Sequence, residues 1–321
     1  CALPIWAAHS RRQYTGAMAV ASHTTQRLID EAAVAATQRR LGRLPTPPWL
    51  HAEIAGRMAE RLALFRMSPD RMIDWGAFLG AGSALLTAAY PQAALRAVEP
   101  SEDLALRSRQ ALRSPWWSGR RWRAPPVEVV VDSNEVQPTG AQLLWANMAL
   151  HAVKDPPALL QRWQRMLAGG GFVMFSCLGP DTARELRALY AGQGWPAPTV
   201  DFVDMHDLGD MLLQAGFADP VMDQETLTVH WESAQALCKD LRLLGGNASP
   251  GRFGGLRTPR WLTRLYRELD SMRDQNGRLG LTFEIIYGHA FKADSPVQVA
   301  AETQVSLEEM RRLMREARRP A

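Results

Sequence analysis

The segment from residue 71 to residue 101 constrains the fold of this chain more than any other segment. It holds an apolar run, RMIDW, then the glycine-rich stretch GAFLGAG, a helix-forming stretch, and a second apolar run that ends in the acid Glu99. Gly76 and Gly80 allow the backbone to bend sharply and to approach a ligand closely. The segment therefore predicts a strand, a glycine turn, a helix and a second strand, the unit from which parallel α/β sheets are built.

A unit of this kind can hold a ribose-containing cofactor. The helix N-terminus beyond the glycines presents free N–H groups, and Glu99 can accept hydrogen bonds from both hydroxyls of a ribose. A dinucleotide fingerprint, G-x-G-x-x-G, would need glycine at positions 76, 78 and 81, but Phe78 and Ala81 occupy the last two. The dinucleotide interpretation therefore fails.

The spacing D-x-G-x-x-x-G from Asp74 to Gly80 resembles the S-adenosylmethionine loop of class I methyltransferases. Phe78 stands where that family usually has glycine, so the loop is divergent. The alternative is a strand-to-helix turn whose glycines only relieve backbone strain. We favour the cofactor site, because an acid follows at the end of the next strand at the right distance.

Composition limits the class of protein only mildly. The 321 residues are 46% hydrophobic and 22% charged, which suits one large or two small domains with a sizeable core. The formal charge of +4 weakly favours an acidic partner and does not require nucleic acid. The three cysteines have no paired spacing, so no disulfide framework or metal site is expected. No apolar run reaches the roughly 20 residues that span a bilayer, and we expect a cytoplasmic protein without a membrane partner.

Helical and extended patterns alternate along the chain, which predicts a doubly wound parallel sheet. Two late strands joined by a helical insert resemble the way class I methyltransferases complete their sheet, with the last strand antiparallel. The predicted strands are Arg71 to Trp75, Leu95 to Glu99, Val127 to Val131, Gln142 to Leu150, Phe172 to Cys177, Pro220 to Trp231 and Leu281 to Lys292. The first predicted helices are Thr25 to Leu41, Trp49 to Phe65 and Gly82 to Tyr90.

The same patterns predict how the chain is divided. Met18 is a candidate start, because the residues before it look like a joining artefact. The expected parts are an artefact or disordered tail at 1–24, N-terminal helices at 25–70, a methyltransferase domain at 71–292 with a helical insert at about 233–275, and a charged tail or helix at 293–321.

Four strings in the second half carry a more specific resemblance. They are FSCLGPDTARELR from Phe175, FVDMHDLGDML from Phe202, AGFADPVMD from Ala215 and FEIIYGHA from Phe283. They resemble the BioC family, the malonyl-acyl-carrier-protein O-methyltransferases of biotin synthesis, closely over about residues 144–292 and loosely in the cofactor half. The resemblance implies transfer of a methyl group from S-adenosylmethionine to the free carboxylate of a malonyl group on acyl carrier protein.

That chemistry explains why no catalytic dyad is visible. A carboxylate is already ionised at neutral pH, so no general base is needed, and catalysis would come mainly from proximity and alignment. The catalytic residues are therefore left unassigned. The resemblance implies a cofactor set of Asp74, Gly76 and Gly80 in the loop, Glu99 at the ribose, Pro100, Ser101 and Asp132 around the adenine, and Asn147 at the methionine part. For Asp132, a turn-forming role before Ser133 is an equal alternative.

The acceptor side of the predicted site rests on arginine chemistry. Arginine suits bidentate contacts to a carboxylate, and three arginines flank the glycine-rich loop after residue 244. The family often follows its Asn with Leu-Ala-Leu-Gln-Trp, whereas this chain places His151 after the leucine. His151 either contacts substrate or is a satisfied polar residue, and we favour the second interpretation. The substrate candidates are Arg242, Arg252, Arg257 and Tyr287.

Alternatives to the active enzyme remain open at this stage. One is a methyltransferase fold that binds a ligand or partner without catalysis, its loop filled by Phe78. Another is a methyltransferase with a different small acceptor. A nucleotide-dependent oxidoreductase is disfavoured, because the fingerprint glycines are missing.

Overall fold

The computed structural model describes residues 26–113, 125, 127–133 and 139–293. Across these ranges the chain forms one mixed sheet with the strand order β3-β2-β1-β4-β5-β7-β6. The strands are β1 (Arg71–Trp75), β2 (Ala94–Glu99), β3 (Val127–Val131), β4 (Ala141–Ala146), β5 (Leu167–Leu178), β6 (Phe217–Trp231) and β7 (Leu279–Lys292). Residues 1–25 and 294–321 lie outside the described ranges, and with them the predicted tail at 1–24 and all but the first residue of the one at 293–321.

Strand direction confirms the predicted fold class. Neighbouring strands from β3 through β5 are parallel, whereas β7 is antiparallel to both β5 and β6. Strand β6 therefore runs in the same direction as β1 to β5. All of these strands end at one edge of the sheet, the carboxyl edge, where open α/β sheets bind their ligands.

Helices cover both faces of the sheet. They are α1 (Glu31–Gly42), α2 (Trp49–Leu62), α3 (Ala77–Gly80), α4 (Ser83–Ala89), α5 (Glu102–Ala111), α6 (Pro156–Met166), α7 (Arg184–Gly192), α8 (Met205–Gln214), α9 (Ala234–Leu244) and α10 (Pro259–Asp270). Successive side chains of a strand enter opposite cores. On β5, Phe172 and Met174 pack in the core beneath α2, while Val173 and Phe175 pack in the core beneath α6 and α8.

The first helix begins later than predicted. The side chain of Asp30 accepts the N–H of Ala33 and caps the helix, so α1 starts at Glu31 and residues 26–30 are not helical. The predicted apolar face of α2 is present, with Leu50, Ile54 and Met58 buried in the core. Helix α1 packs against α3 and α5, so the N-terminal helices lie close to the carboxyl edge.

Two predicted elements end or begin differently near that edge. Strand β4 ends at Ala146 instead of Leu150, because Met148 adopts a positive φ of 53° and a short 3-10 turn follows at Leu150–Ala152. The glycine turn contains an additional short helix, α3, which the sequence did not reveal. Asn147 and Phe78 therefore both lie in the connections that follow strands.

The late strand β6 is longer than predicted and includes Pro220. A register shift between Ala218 and Val221, with a positive φ of 49° at Asp219, accommodates the proline. Helices α9 and α10 occupy the segment predicted as a helical insert and follow the end of β6 at the carboxyl edge. Among the described residues, no helix combines the length and the apolar character that crossing a bilayer requires.

Candidate functional site

Glu99, the last residue of β2, is completely buried at the carboxyl edge. Its Oε1 accepts the backbone N–H of Phe78 at 2.6 Å and also the hydroxyl of Ser108. Its Oε2 is buried and has no hydrogen-bond partner among the described residues. Burial raises the pKa of this carboxyl, while the bonds from Ser108 and Phe78 oppose the rise. The site thus holds one unused acceptor, which matches a hydroxyl donor such as a ribose.

The turn after β1 is shaped by glycines. Gly76 adopts a left-handed conformation, with φ of 72°, and donates its N–H to the carbonyl of Val98 on β2 at 2.7 Å. A Cβ on Gly80 would lie 3.3 Å from the carbonyl oxygen of Asn147. A Cβ on Gly82 would press into the indole of Trp145. Gly76 is therefore needed for its conformation, and the other two for close approach.

Asp74 is also fully buried, and the hydrogen bond that its carboxylate accepts comes from within the protein. Its Oδ2 accepts the hydroxyl of Ser83 at 2.6 Å, at the first turn of α4. Its Oδ1 is buried without a partner in the described ranges. Burial raises the pKa of Asp74 to about 7; the Ser83 bond opposes this rise and the nearby Glu99 carboxylate adds to it. Two buried acids thus lie in one neighbourhood at the end of β1 and β2.

Asn147 joins four segments after β4. Its amide nitrogen donates to the carbonyls of His51 and Gly80, both at 2.7 Å. Its Oδ1 accepts the hydroxyl of Ser176 at 2.6 Å, and the Ser176 oxygen accepts the N–H of Met148 at 3.0 Å. Both N–H groups of the amide are therefore used within the protein. The network fixes the turn after β4 against α2, α3 and β5.

Two histidines lie beside this network. The Nδ1–H of His51 donates to the carbonyl of Leu79 at 2.9 Å, and the His151 ring lies edge-on at a centroid distance of 6.4 Å. Burial lowers the pKa of His51 to about 4. Burial, together with charge on His51 and Arg27, lowers the pKa of His151 to about 3. Both imidazoles are therefore neutral at pH 7.

The interpretation of His151 as a satisfied polar residue is wrong. Its Nδ1 is buried and finds no hydrogen-bond partner among the described residues. Instead, the carbonyl of His151 accepts from the guanidinium of Arg27 at 3.0 Å, and the same side chain donates to Val153 at 3.2 Å. The backbone around His151 is thus held by the segment before α1, while its ring keeps an unused polar atom.

Of the remaining cofactor candidates, Asp132 and Ser101 are engaged within the protein. The Asp132 carboxylate forms an ion pair with Arg162. The Ser101 hydroxyl accepts the N–H of Leu104 at 3.4 Å and caps α5, and Pro100 is exposed just before it. These contacts do not test a role around an adenine ring, which stays a prediction.

The four substrate candidates each have different surroundings. Arg252 forms an ion pair with Asp30 at 2.7 Å, and the Arg257 guanidinium lies 3.8 Å from the ring centroid of Phe253 and 4.2 Å from that of Trp261. Arg242 is exposed at the end of α9. The fourth, Tyr287, is buried, donates its hydroxyl to Glu225 and lies 3.8 Å beneath the guanidinium of Arg61. Their substrate roles stay predictions.

Sequence reasoning missed several residues that build this site. Most are brought in from distant segments: His51 and Asn147, for example, are 96 residues apart in the chain. Only Gly82 left a local signal, as a further glycine two positions after Gly80. The missed residues are Arg27, His51, Gly82, Ser108 and Ser176.

Comparison with known proteins first defines the class. Residues 49–219 match the Methyltransferase domain family, and this covers more than half of the chain. The fold resembles the crystal structure of the YcgJ protein from Bacillus subtilis, with a TM-score of 0.50 and 12% identity over 75% of this chain and 98% of that chain. The chain therefore belongs to the methyltransferase-domain proteins, with the class I fold that its strand order displays.

Three relatives then define the particular family. The Malonyl-[acyl-carrier protein] O-methyltransferase of Laribacter hongkongensis is 36% identical over 246 residues, which is 76% of this chain and 82% of that protein. The protein of the same name from Gallionella capsiferriformans is 36% identical over 76% of this chain and 84% of its own length. Malonyl-[acyl-carrier protein] O-methyltransferase 1 of Coxiella burnetii is 36% identical over 75% and 80%, respectively. The chain belongs to the malonyl-[acyl-carrier protein] O-methyltransferase family, which confirms the resemblance in its sequence.

Proposed function

We propose that this protein transfers a methyl group from S-adenosylmethionine to the free carboxylate of a malonyl group on acyl carrier protein, a step of biotin synthesis. Relatives named for this reaction cover most of the chain. The observation that carries the proposal in this chain is the buried Glu99, whose Oε2 is an unused acceptor at the end of β2. A ribose hydroxyl is the donor that such an acid accepts in folds of this kind.

The bound cofactor would supply a methyl group made electrophilic by its sulfonium. The chain would hold it with Glu99 at the ribose, with the turn from Gly76 to Gly80, and with Pro100, Ser101 and Asp132 around the adenine. Asn147 keeps the turn after β4 rigid through its bonds to His51 and Gly80. That turn would face the methionine part of the cofactor.

The acceptor requires no residue to take up a proton. A malonyl carboxylate is ionised at neutral pH, so the protein needs only to align it with the methyl group and to exclude water. The neutral imidazoles of His51 and His151 suit this task, because they add no positive charge that would pair with the nucleophile. Helices α1 and α2, which both pack against α3 near the carboxyl edge, would limit the entry of water.

One specific observation favours a second candidate, a methyltransferase fold that binds a ligand or partner without catalysis. Glu99 has no exposed surface, and one of its oxygens already accepts the N–H of Phe78. A ribose would require α3 or the covering helices to move. Calorimetric titration with S-adenosylmethionine separates the candidates, because the second predicts no measurable heat of binding for this cofactor.

Transfer of a radiolabelled methyl group tests the reaction itself. Malonyl-acyl carrier protein is the substrate, and acetyl-acyl carrier protein, which lacks the free carboxylate, is the control. We expect labelling of the malonyl form only. Equal labelling of both, or labelling of neither although the cofactor binds, excludes the proposed acceptor. A methyltransferase with another small acceptor would then remain.

A further inference from the structure

Positive charge in this protein is concentrated in the insert that contains α9 and α10. Between Ala234 and Asp270 the sequence has seven Lys or Arg residues and three acids, giving a formal net charge of +4, which equals that of the whole chain. The carboxylate of Asp240 accepts hydrogen bonds from the indole N–H groups of Trp49 and Trp231, at 3.1 Å each. The insert therefore carries more basic groups than its own three acids neutralise.

Arginines share one exposed face of α10. Arg260, Arg264 and Arg267 follow each other at spacings of four and three residues, so their side chains project from the same side of the helix. All three are exposed, while Leu265 and Leu269 on the other side are buried. The span from Arg260 to Arg267 is about 10 Å along the helix axis. This length matches a contact with one helix or loop of a partner.

These arginines have few acidic partners of their own. Arg264 donates to the neutral amide of Gln193 at 2.6 Å, and Arg267 meets Glu268 at 3.0 Å. Arg257 lies between two aromatic rings, and Arg260 forms no ion pair with any residue that the structure describes. Glu268 also accepts from the amide of Gln193 at 3.0 Å, so one acid serves this face and an acidic partner could pair with the remaining charge.

Apolar side chains are exposed in the loop that leads into α10. Phe253 is 46% exposed and Leu256 is 97% exposed. Arg257 packs on the ring of Phe253, which keeps the basic and apolar groups together. A surface that combines exposed apolar side chains with arginine is typical of protein recognition.

The position of the insert relates it to the candidate site. Both the insert and Glu99 follow strand ends at the carboxyl edge, since β6 runs in the same direction as β2. The loop before α10 is tied to the N-terminal segment, because Arg252 pairs with Asp30 and the N–H of Asp30 donates to Ala248 at 2.8 Å. The same segment holds the backbone at His151 through Arg27. A protein seated on the insert would thus face the same carboxyl edge as the site, on the side of β6.

We propose that the α10 basic surface, formed by Arg257, Arg260, Arg264 and Arg267 with Phe253 and Leu256, is the docking site for the acidic acyl carrier protein. The inference rests on the proposed function, which requires a carrier-bound thioester to reach the carboxyl edge. Acidic residues of the carrier pair with the arginines, and an apolar carrier residue contacts Phe253 and Leu256. The flexible arm of the carrier then delivers the thioester to the site.

The test compares two double charge reversals with equal changes of net charge. Arg260→Glu with Arg267→Glu changes the docking face. Arg66→Glu with Arg165→Glu changes exposed arginines that precede β1 and β5, at the opposite edge of the sheet. Binding of fluorescently labelled acyl carrier protein is followed by anisotropy in full-length protein, at several salt concentrations. Thermal unfolding confirms that each variant is folded, and Arg260→Ala alone serves if the double variant is unstable.

We expect the α10 variant to weaken carrier binding by about tenfold or more and to lessen its salt dependence, because several exposed pairs are lost together. The control variant should stay within about twofold of the unchanged protein. Equal weakening by the two variants, or none by either, overturns the docking site. Tighter binding of a labelled DNA duplex than of the carrier at this surface also overturns it.

A small malonyl thioester without a carrier separates this proposal from the proposed function. The α10 variant should methylate it at the unchanged rate while losing turnover of malonyl-acyl carrier protein. If the unchanged protein methylates neither substrate, the proposed function fails. Carrier binding that still depends on Arg260 and Arg267 would then support the docking site by itself.

Discussion

Phe78 donates its backbone N–H to the carboxylate of Glu99 at 2.6 Å, so the bulky residue of the glycine turn is bonded to the acid at the end of β2. The Phe78 ring is buried and lies with its centroid 4.8 Å from the guanidinium carbon of Arg107 on α5. Because Gly76 turns the chain into the short helix α3, the ring packs against α5. The divergent loop therefore keeps the geometry that connects it to Glu99.

Removing the Glu99 side chain should weaken cofactor binding. We expect Glu99→Ala to lower the affinity for S-adenosylmethionine by roughly 1–3 kcal/mol, because ribose hydroxyls lose a charged acceptor. Isothermal titration calorimetry measures the change. Ser108→Ala is the matched control, since it removes a donor to Oε1 and leaves Oε2 unaltered. An affinity that Glu99→Ala leaves unchanged would exclude Glu99 as the ribose acceptor.

Truncating Phe78 should destabilise the fold. Phe78→Ala removes a buried ring of α3 that packs against α5. We expect the free energy of unfolding to fall by about 3 kcal/mol. Leu106→Ala on α5, where the side chain is 52% exposed, should cost much less. Urea denaturation gives both values. If Phe78→Ala instead leaves stability intact and strengthens binding of S-adenosylmethionine, the ring occupies space that the cofactor needs.

Elements with a local periodic signal could be predicted from the sequence. The alternation of apolar runs and helices gave the sheet, and the spacing of Leu50, Ile54 and Met58 gave the buried face of α2. Glu99 was identifiable because an acid at a strand end follows the glycine turn at a regular distance. These features depend on residues within one or two neighbouring elements, so the local sequence pattern is enough to predict them.

Features that depend on distant contacts could not be predicted. The start of α1 is set by the Asp30 cap, and Asp30 is in turn held by Arg252 in the insert. The end of β4 is set by the positive φ of Met148, a conformation with no strong sequence signal. The contact of Asn147 with His51 brings α2 to the turn after β4. The two residues are too far apart in the sequence for any local spacing pattern to predict this contact.

Asn147 should be a major contributor to stability for the same reason. Asn147→Ala leaves the carbonyls of His51 and Gly80 and the hydroxyl of Ser176 without their partner in a buried place. We expect the free energy of unfolding to fall by about 3 kcal/mol, since each unpaired buried group is costly. Asn247→Ala is the control, because Asn247 is only partly buried, donates an exposed bond to Ala197 and accepts the N–H of Ser249. Similar losses in the two variants would contradict the role of the Asn147 network.

The buried imidazole of His51 should make stability depend on pH. Burial lowers the pKa of His51 to about 4, below the value near 6.5 of an unfolded histidine. Between these values the unfolded chain binds more protons than the folded protein, so His51 contributes a loss of stability as pH falls. The contribution is fully favourable above pH 6.5 and is lost progressively towards pH 4. The slope is at most about 1.4 kcal/mol per pH unit.

His51→Asn isolates this contribution, because asparagine can keep a donor near the carbonyl of Leu79 but does not titrate. As pH falls from 7 to 4.5, the unchanged protein should lose more free energy of unfolding than the variant does. His206→Asn is a surface comparison, since the His206 side chain is 79% exposed. Urea denaturation at several pH values measures both differences. A His51→Asn difference that does not change with pH would mean that His51 is protonated equally in the folded and unfolded states.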